Sequence, residues 1–440
     1  MLQSETVKKY DTYKDSGIEW IGEIPQEWQI GNLKRLTNFI KNGTSATQID
    51  NETSFKVSRI ETISKGEIDY SKVGYIEEFD NIADYKLTKG DILFSNINSL
   101  EMVGNIAIFE NEETLYSGMN LLRISVNSKT FPKWLFYVLK NSYFVEQVKA
   151  NAKHAINQVS IGVGRLSQIP IAIPKFEEQQ RIADYLDNKC GEIDRVVETE
   201  KAVIEKLKEY KQYIITDAVT KGLDKSVPLK DSGIEWIGKI PQHWEMLKLK
   251  YIAECNREVL SENTKPDKCI DYIEIGSVTN ESGINGYETL TFENAPSRAR
   301  RIVNNGDTII STVRTYLKAI AYIDDKYDKF ICSTGFAVFT PNKKVLPKFL
   351  FHALHSEWFV STVEANSVGI SYPAINTTNI VNYKIAIPSV KEQEQILKYL
   401  DKKCSEIDKA IADKEQVIEK FTEYKKSLIY ECVTGKRKVC

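Results

Sequence analysis

Two long stretches of the chain carry apolar residues at an alternating three-and-four spacing, with charged residues on the remaining positions. In the first, Glu177 to Lys221, the stripe runs through Ile182, Leu186, Cys190, Ile193, Val197, Ile204, Leu207, Ile214 and Ala218. In the second, Glu392 to Gly435, it runs through Ile396, Leu400, Cys404, Ile407, Ile411, Ile418, Phe421, Leu428 and Cys432. This is the heptad-like seam of a helix that packs lengthwise on another helix. About 40 residues at 1.5 Å each give a helix of roughly 60 Å, too long for the interior of one domain. The pattern therefore predicts two spacer helices that pair as an antiparallel coiled coil. Gly222 and Gly435 are placed to end them, since glycine readily adopts the left-handed conformation of a helix C-terminus. A solvated helix pair that merely links domains would carry a similar stripe.

The remainder is patterned differently. Residues 15 to 30 read as an extended, proline-containing lead-in, with Trp20, Ile24 and Trp28 available to pack on a neighbour. From Leu33 to about Pro174 short apolar runs, such as Gly104–Phe109 and Leu121–Val126, alternate with glycine and asparagine. Runs of that kind predict short strands and turns. One amphipathic helix is predicted over Lys133–Lys149, after Pro132, and another over Phe349–Glu357. The second half repeats the design as far as Pro388.

That second half is a copy of the first, at a period of about 215 residues. Asp15-Ser16-Gly17-Ile18-Glu19-Trp20-Ile21-Gly22 returns unchanged as Asp231-Ser232-Gly233-Ile234-Glu235-Trp236-Ile237-Gly238, and each is followed by Ile-Pro-Gln and then Trp28 or Trp244. Gly90-Asp91-Ile92-Leu93 answers Gly306-Asp307-Thr308-Ile309, and Pro132-Lys133-Trp134-Leu135-Phe136 answers Pro347-Lys348-Phe349-Leu350-Phe351. Further along, Ala150-Asn151 answers Ala365-Asn366, Ile171-Ala172-Ile173-Pro174 answers Ile385-Ala386-Ile387-Pro388, and Tyr185-Leu186-Asp187 answers Tyr399-Leu400-Asp401. By contrast, Lys41–Ser71 and Arg257–Ser297 share almost nothing. A common frame with divergent loops is expected where each half recognises something different.

These readings define the fold class as α+β. Two similar mixed α/β domains are joined by two long antiparallel coiled-coil spacer helices, with a pseudo-two-fold internal duplication. The segments are 1–174, a first recognition domain with its lead-in; 175–222, the first spacer helix; 223–388, the second domain; and 389–440, the second spacer helix.

Composition narrows the possibilities. The 440 residues are 42% hydrophobic and 27% charged, ordinary for a folded protein of more than one domain. The start, Met1 to Tyr10, has no apolar run, so neither a signal peptide nor a membrane anchor is expected. Cys190, Cys255, Cys269, Cys332, Cys404, Cys432 and Cys440 form no close Cys-x-x-Cys pair, which points to free thiols in a reducing cytoplasm. The net charge of -2 lacks the basic excess usual for nucleic-acid binding. Acidic partner-binding helices beside basic DNA-facing surfaces can nevertheless sum to near zero, because a phosphate responds to the local distribution.

The candidate DNA contacts are local clusters. In the second half Arg298, Arg300 and Arg301 precede Asn304-Asn305-Gly306, and Arg314 and Lys318 follow. Guanidinium groups suit phosphates and bidentate reading of guanine. In the first half Asn96, Asn98 and Asn105 lie in the corresponding region, with Lys41, Lys56 and Arg59 earlier. Asparagine can pair with adenine, although polar loops use it for many reasons. Ser167 and Gln168, and in the other copy Asn376, Thr377, Thr378 and Asn379, precede the strand that enters each spacer helix. A charged surface loop is the plainer account of the arginines.

Catalytic apparatus is missing from the pattern. No glycine-rich loop ends in Gly-Lys-Ser/Thr, and Gly162 with Gly164 lacks the third glycine of a nucleotide fingerprint. There is no Asn-Pro-Pro-aromatic or Asp-Pro-Pro-aromatic segment. The pair His352 and His355 has no evident third ligand, so no metal site is expected.

The chain resembles the specificity subunits of type I restriction-modification enzymes. The resemblance rests on the Gly-Ile-Glu-Trp-Ile-Gly-x-Ile-Pro-x-x-Trp lead-ins at Gly17–Trp28 and Gly233–Trp244. It rests also on the helix entries Ile173-Pro174 to Gln180 and Ile387-Pro388 to Gln395, the second with one extra residue, and on the helix ends Ala218-Val219-Thr220-Lys221-Gly222 and Cys432-Val433-Thr434-Gly435. It implies a non-catalytic subunit whose two target-recognition domains read the halves of a split site on double-stranded DNA. The helices would act as ruler and as dock for two methyltransferase subunits, through the seam of Leu186, Ile193, Val197, Ile204, Leu207, Ile214, Leu400, Ile407, Ile411, Ile418, Phe421 and Leu428. S-adenosylmethionine would belong to those adenine methyltransferases, and ATP and Mg to two motor-nuclease subunits that can join; no cofactor is implied in this chain. The targeting subunit of a related restriction enzyme without an ATP motor would look the same. A coiled-coil scaffold whose flanking domains bind protein or glycan would differ in lacking salt-dependent DNA affinity.

Overall fold

The computed structural model describes residues 8–439 apart from Glu112, Asn157, Glu235, Trp236 and Glu281. Met1–Val7, Cys440 and the Glu235-Trp236 pair of the second lead-in thus lie outside the described residues. The chain divides into two compact units, one of Met1–Lys201 with Glu415–Cys440 and one of Ala202–Lys414.

Each unit is organised around a four-stranded antiparallel sheet. In the first the order is Ile106–Ile108, Ile92–Ser95, Leu121–Val126, Thr37–Asn42. In the second it is Ile320–Tyr322, Thr308–Ser311, Phe336–Pro341, Ala253–Cys255, the same order strand for strand. The central strands are buried throughout, which is why they read as unbroken runs and not as alternating ones. Their side chains still alternate between two cores. Ile92 and Phe94 pack with Trp134, Leu135 and Phe144 on the helical side, whereas Leu93 packs with Ile63, Leu87 and Leu115 on the other. In the second unit Ile310 and Ile309 divide in the same way.

The helical layer differs from the predicted one. Instead of one helix over Lys133–Lys149 there are two, α1 (Pro132–Lys140) and α2 (Ser142–Ala150). The break falls at Asn141, whose extended ψ leaves the helix and whose side chain accepts the Tyr143 N–H at 3.1 Å. Asparagine competes for backbone donors in this way and so favours a helix start over a helix interior. The same two-helix arrangement corrects Phe349–Glu357. After the long α3 (Phe176–Lys221), the second unit has α4 (Pro347–Leu354) and α5 (Glu357–Ala365), followed by α6 (Val390–Val433). His352 lies inside α4 and His355 at its end.

The long helices α3 and α6 link the units, and each is followed by its expected glycine, Gly222 at φ 67° and Gly435 at φ 76°. Within the first unit Leu186, Cys190 and Ile193 share a core with Leu428 and Cys432, and Val197 and Phe421 pack against it. Lys425 Nζ meets Asp194 at 2.6 Å alongside. Within the second unit Ala218 and Val219 share a core with Ile396 and Leu400, and Lys211 Nζ meets Asp408 at 2.7 Å. Both ion pairs join a residue late in one helix to one early in the other, so the pairing is antiparallel. Ile204, Ile214 and Ile407 are also buried, whereas Leu207, Ile411 and Ile418 are half-covered.

The helix entries are fixed by side chains that the sequence motif misplaced. The structural glutamines are Gln179 and Gln393, not Gln180 and Gln395, and they stand at equal distance from Pro174 and Pro388, with no extra residue in the second copy. Gln179 accepts the Phe131 N–H at 2.8 Å and donates to the carbonyls of Lys129 and Pro174. Gln393 does the same with Leu346, Lys344 and Pro388. Beside them Glu178 accepts from the Trp28 indole at 3.1 Å and from Tyr10 at 2.6 Å, while Glu392 accepts from the Trp244 indole at 3.0 Å. Trp28 and Trp244 are thereby held to the long helices.

One repeated pair has opposite surroundings in the two copies. Asp91, 2% exposed, takes Arg123 Nε at 2.8 Å and Nη2 at 2.7 Å. Asp307, 1% exposed, sits where Val338 replaces that arginine; its Oδ2 accepts the Asn304 N–H at 2.8 Å, and its Oδ1 is buried without a partner among the described residues. Burial raises the Asp307 carboxyl above the usual aspartate range. Removing the carboxylate in Asp91→Ala strands a buried guanidinium and should lower stability by about 3–5 kcal/mol in urea denaturation. Asp307→Asn should stabilise the protein at pH 7. Since the folded pKa is raised, stability is lost as pH climbs through it, so the variant's advantage should shrink on acidification.

His352 gives the reverse dependence. Burial, with His355 and Lys348 adding to it, pushes its pKa down to about 3. Between that value and an unfolded value of about 6.5, only the unfolded chain takes up the proton, so stability falls as pH drops through this window. Relative to the parent, His352→Gln should lose about 2–3 kcal/mol less on moving from pH 7 to pH 4.5, measured by denaturation at both values.

Candidate nucleic-acid interface

In each unit the chain leaving the second short helix forms a hairpin that returns along the loop after the first central strand. In the first unit Lys153–Ala155 pairs with Gln158–Ser160, which in turn pairs with Ile97–Asn98. The Ile161 N–H closes the arrangement on the Asn96 carbonyl at 2.9 Å. In the second unit Val368 bridges Ala374, Ala374 bridges Val313, and the Ile375 N–H meets the Thr312 carbonyl at 2.9 Å. The matching bonds place Arg314 where the first copy has Asn98.

The two side chains are held differently. Asn98 donates to Ser95 Oγ at 3.2 Å and accepts the Ser99 N–H at 2.8 Å. Arg314 is exposed, with its guanidinium 5.0 Å from the centre of the Tyr372 ring, a cation–π contact that orients the planar group while leaving its donors free. Arg314 and Lys318 both have left-handed backbones, φ 50° and 52°, on either side of the turn Thr315–Leu317. That conformation is unfavourable for long side chains and persists only where surrounding contacts impose it. Thr315 Oγ1 donating to Ser367 Oγ at 2.7 Å and Lys318 at 3.7 Å from Glu364 are two such contacts.

Other predicted candidates are scattered around or away from this place. Asn96 is buried at the hairpin base, and Asn105 donates to the Ser64 carbonyl at 3.5 Å. Ser167 and Gln168 follow the hairpin; Ser167 Oγ donates to the Gly164 carbonyl and Gln168 accepts from Asn32. Asn376 caps the turn Thr377–Ile380 by accepting the Thr378 N–H at 3.2 Å. Lys41 lies over Phe39, Lys56 pairs with Glu113 at 3.3 Å, and Arg59 is exposed before a short turn. The arginines at the strand Ala299–Ile302 are split: Arg298, just before it, is exposed, Arg300 lies over Phe292, and Arg301 is half-buried near Cys255 and Cys332. Burial lowers the Arg301 pKa.

Sequence reasoning missed the hairpin itself, although a signal was present. No Asp or Glu occurs between Glu146 and Glu177, nor between Glu364 and Glu392. In a chain with 61 acidic residues, two carboxylate-free stretches at the same place in both copies mark a surface suited to phosphates. Their outermost side chains are apolar: Ile156 is 93% exposed, and Ile370 is fully exposed beside Tyr372. Among the described residues no group of three His, Cys, Asp or Glu could hold a metal ion, and no helix is long and apolar enough to cross a membrane.

A family model described as the type I restriction modification DNA specificity domain matches residues 25–209 and again 241–420. The chain is 32% identical over 428 residues to a protein of Methanocaldococcus jannaschii assigned as the MjaX type I restriction enzyme specificity subunit, covering 95% of this chain and 96% of that one. It is 24% identical to the MjaVIII specificity subunit of the same organism, over 94% of each. A solved structure from work on complex assembly and conformational transition of the type I R-M system superimposes with a TM-score of 0.70 at 14% identity, covering 93% of this chain and 98% of that one. The HsdS subunit of Thermoanaerobacter tengcongensis gives a TM-score of 0.50, also at 14% identity, over 94% of this chain and 98% of the other.

Proposed function

The chain belongs to the type I restriction-modification DNA specificity family, and on that premise we propose that each unit reads one half of a split DNA site through its hairpin and the loop beside it. The chain has a non-catalytic role in DNA recognition and directs partner subunits. The observation that carries the assignment of the site is a matched set of hairpin-to-loop backbone bonds that places Asn98 in one copy and Arg314 in the other, the first on an extended backbone and the second on a left-handed one. Asparagine matches the donor and acceptor edge of adenine, and arginine matches the two acceptors of guanine. Recognition by residues 1–174 and 223–388 would direct two adenine methyltransferase subunits docked on the long helices, and two motor-nuclease subunits where these are present. S-adenosylmethionine, ATP and Mg would be handled by those partners in the cytoplasm.

The deciding experiment maps adenine methylation across the genome of a methylation-free host that expresses this chain with its methyltransferase, against the methyltransferase alone. A split motif should appear only with both. Asn98→Ala should then relax one base pair in one half of the motif, at about 1–3 kcal/mol of discrimination, and Arg314→Ala one base pair in the other half. Neither change should alter the salt dependence of binding if the contacts are to bases. Relaxation in both halves, or in neither, would sink the assignment of this site.

The helices supply a separate prediction. Removing one turn from each of α3 and α6 shortens the spacer by about 5 Å, and the methylated motif should then show a different gap between its halves. An unchanged gap would rule the helices out as the ruler.

A further inference from the structure

We propose that each hairpin is a wedge, with Ile156 and Ile370 inserted at a base step beside the half-site that the unit reads. The proposal rests on the DNA-reading role and adds a mechanical one: recognition deforms the duplex at two places. A β-ribbon can enter a groove of DNA, and an apolar side chain at its tip can part stacked bases and kink the helix.

Three observations converge on this. First, isoleucine at full exposure gains nothing for the fold, yet both copies carry it at the tip of the same hairpin, although other loops of the two halves have diverged. Second, the surroundings favour a polyanion. The stretches that carry the tips lack carboxylates, and Lys149, Lys153 and Arg165 flank Ile156 in the first copy, with Arg165 Nη1 donating to the Asn151 carbonyl at the hairpin base at 3.0 Å. In the second copy Arg314 stands over Tyr372, two residues from Ile370. A site for an apolar protein partner would not need this charge pattern. Third, the hairpin is anchored on the strand or bridge residue next to Asn98 or Arg314, so a tip in the groove lies close to the base edges those residues would read.

The test uses the full chain assembled with its methyltransferase, and a duplex carrying the mapped motif with donor and acceptor dyes at its ends. Binding of the parent complex should shorten the end-to-end distance by energy transfer, as a kinked duplex requires. Ile156→Ala with Ile370→Ala should abolish most of that change and weaken binding about tenfold to hundredfold, the loss of two apolar contacts, with the salt slope unchanged because no phosphate contact is removed. Ile156→Phe with Ile370→Phe keeps an apolar wedge and should retain the bend. Both positions are exposed, so neither pair of changes should disturb folding. Parental affinity and bend in the alanine variant would overturn the wedge. So would loss of methyltransferase coelution with bending intact at saturation, which would make the tips a protein contact. If the parent complex itself fails to bind the motif, the DNA-reading role fails instead, independently of the wedge.

Discussion

Gln179 and Gln393 are nearly inaccessible to solvent, at 1% and 0% exposure, and each spends its whole carboxamide on backbone groups. The oxygen takes the N–H at the start of a short helix, and the nitrogen serves two carbonyls, one before that helix and one before the long helix. A buried amide is tolerable only when fully bonded, and a fully bonded one permits very little alternative geometry. The clamp therefore joins three things that function needs in fixed relation within a unit: the sheet, the paired short helices packed on it, and the first turn of the long helix. The hairpin springs from the second short helix, so its position descends from the same amide.

The adjacent glutamates extend this constraint to the lead-ins. Glu178 and Glu392 receive the indole N–H groups of Trp28 and Trp244, which satisfies the one polar atom of a buried aromatic ring. The tryptophan that closes each lead-in is thus an anchor and not a reader. Its invariance between the copies and the divergence of the loops have one explanation. Anchor positions are tied by geometry to a shared frame, whereas loop positions answer only to what they touch.

What could be read in the sequence follows from this division. The duplication, the long helices, their seam and the glycines that end them were legible because periodicity and left-handed glycine are local signals. Asn141 as a helix break was less so, since asparagine within an amphipathic stretch stops a helix only when its side chain finds a donor, here Tyr143 N–H. The motif glutamine was misplaced by one residue in the first copy and two in the second because Gln179-Gln180 and Gln393-Glu394-Gln395 each offer two candidates, and burial alone separates them. Most of the interface was illegible. Hairpin strands of three residues are too short to show a period of two, and of the arginines that stood out in the sequence Arg314 lies beside the hairpin, whereas Arg300 and Arg301 lie on the strand Ala299–Ile302, with Arg301 half-buried near Cys332.

The same division explains how a nearly neutral chain can present a surface to DNA. Carboxylates crowd the long helices, where Asp194 and Asp408 pair with lysines of the facing helix, and they are absent from the segments that carry the hairpins. Because a charge in solvent is felt over only about 10 Å at moderate salt, the composition around each hairpin weighs more in its field than the net charge of the chain. On the proposed reading, the two halves would differ in target through Asn98 in one and Arg314 in the other, at matching places in the hairpin-to-loop bonding. The left-handed backbone at Arg314 and Lys318, not shared by Asn98, is carried by Thr315, Ser367, Tyr372 and Glu364 around it.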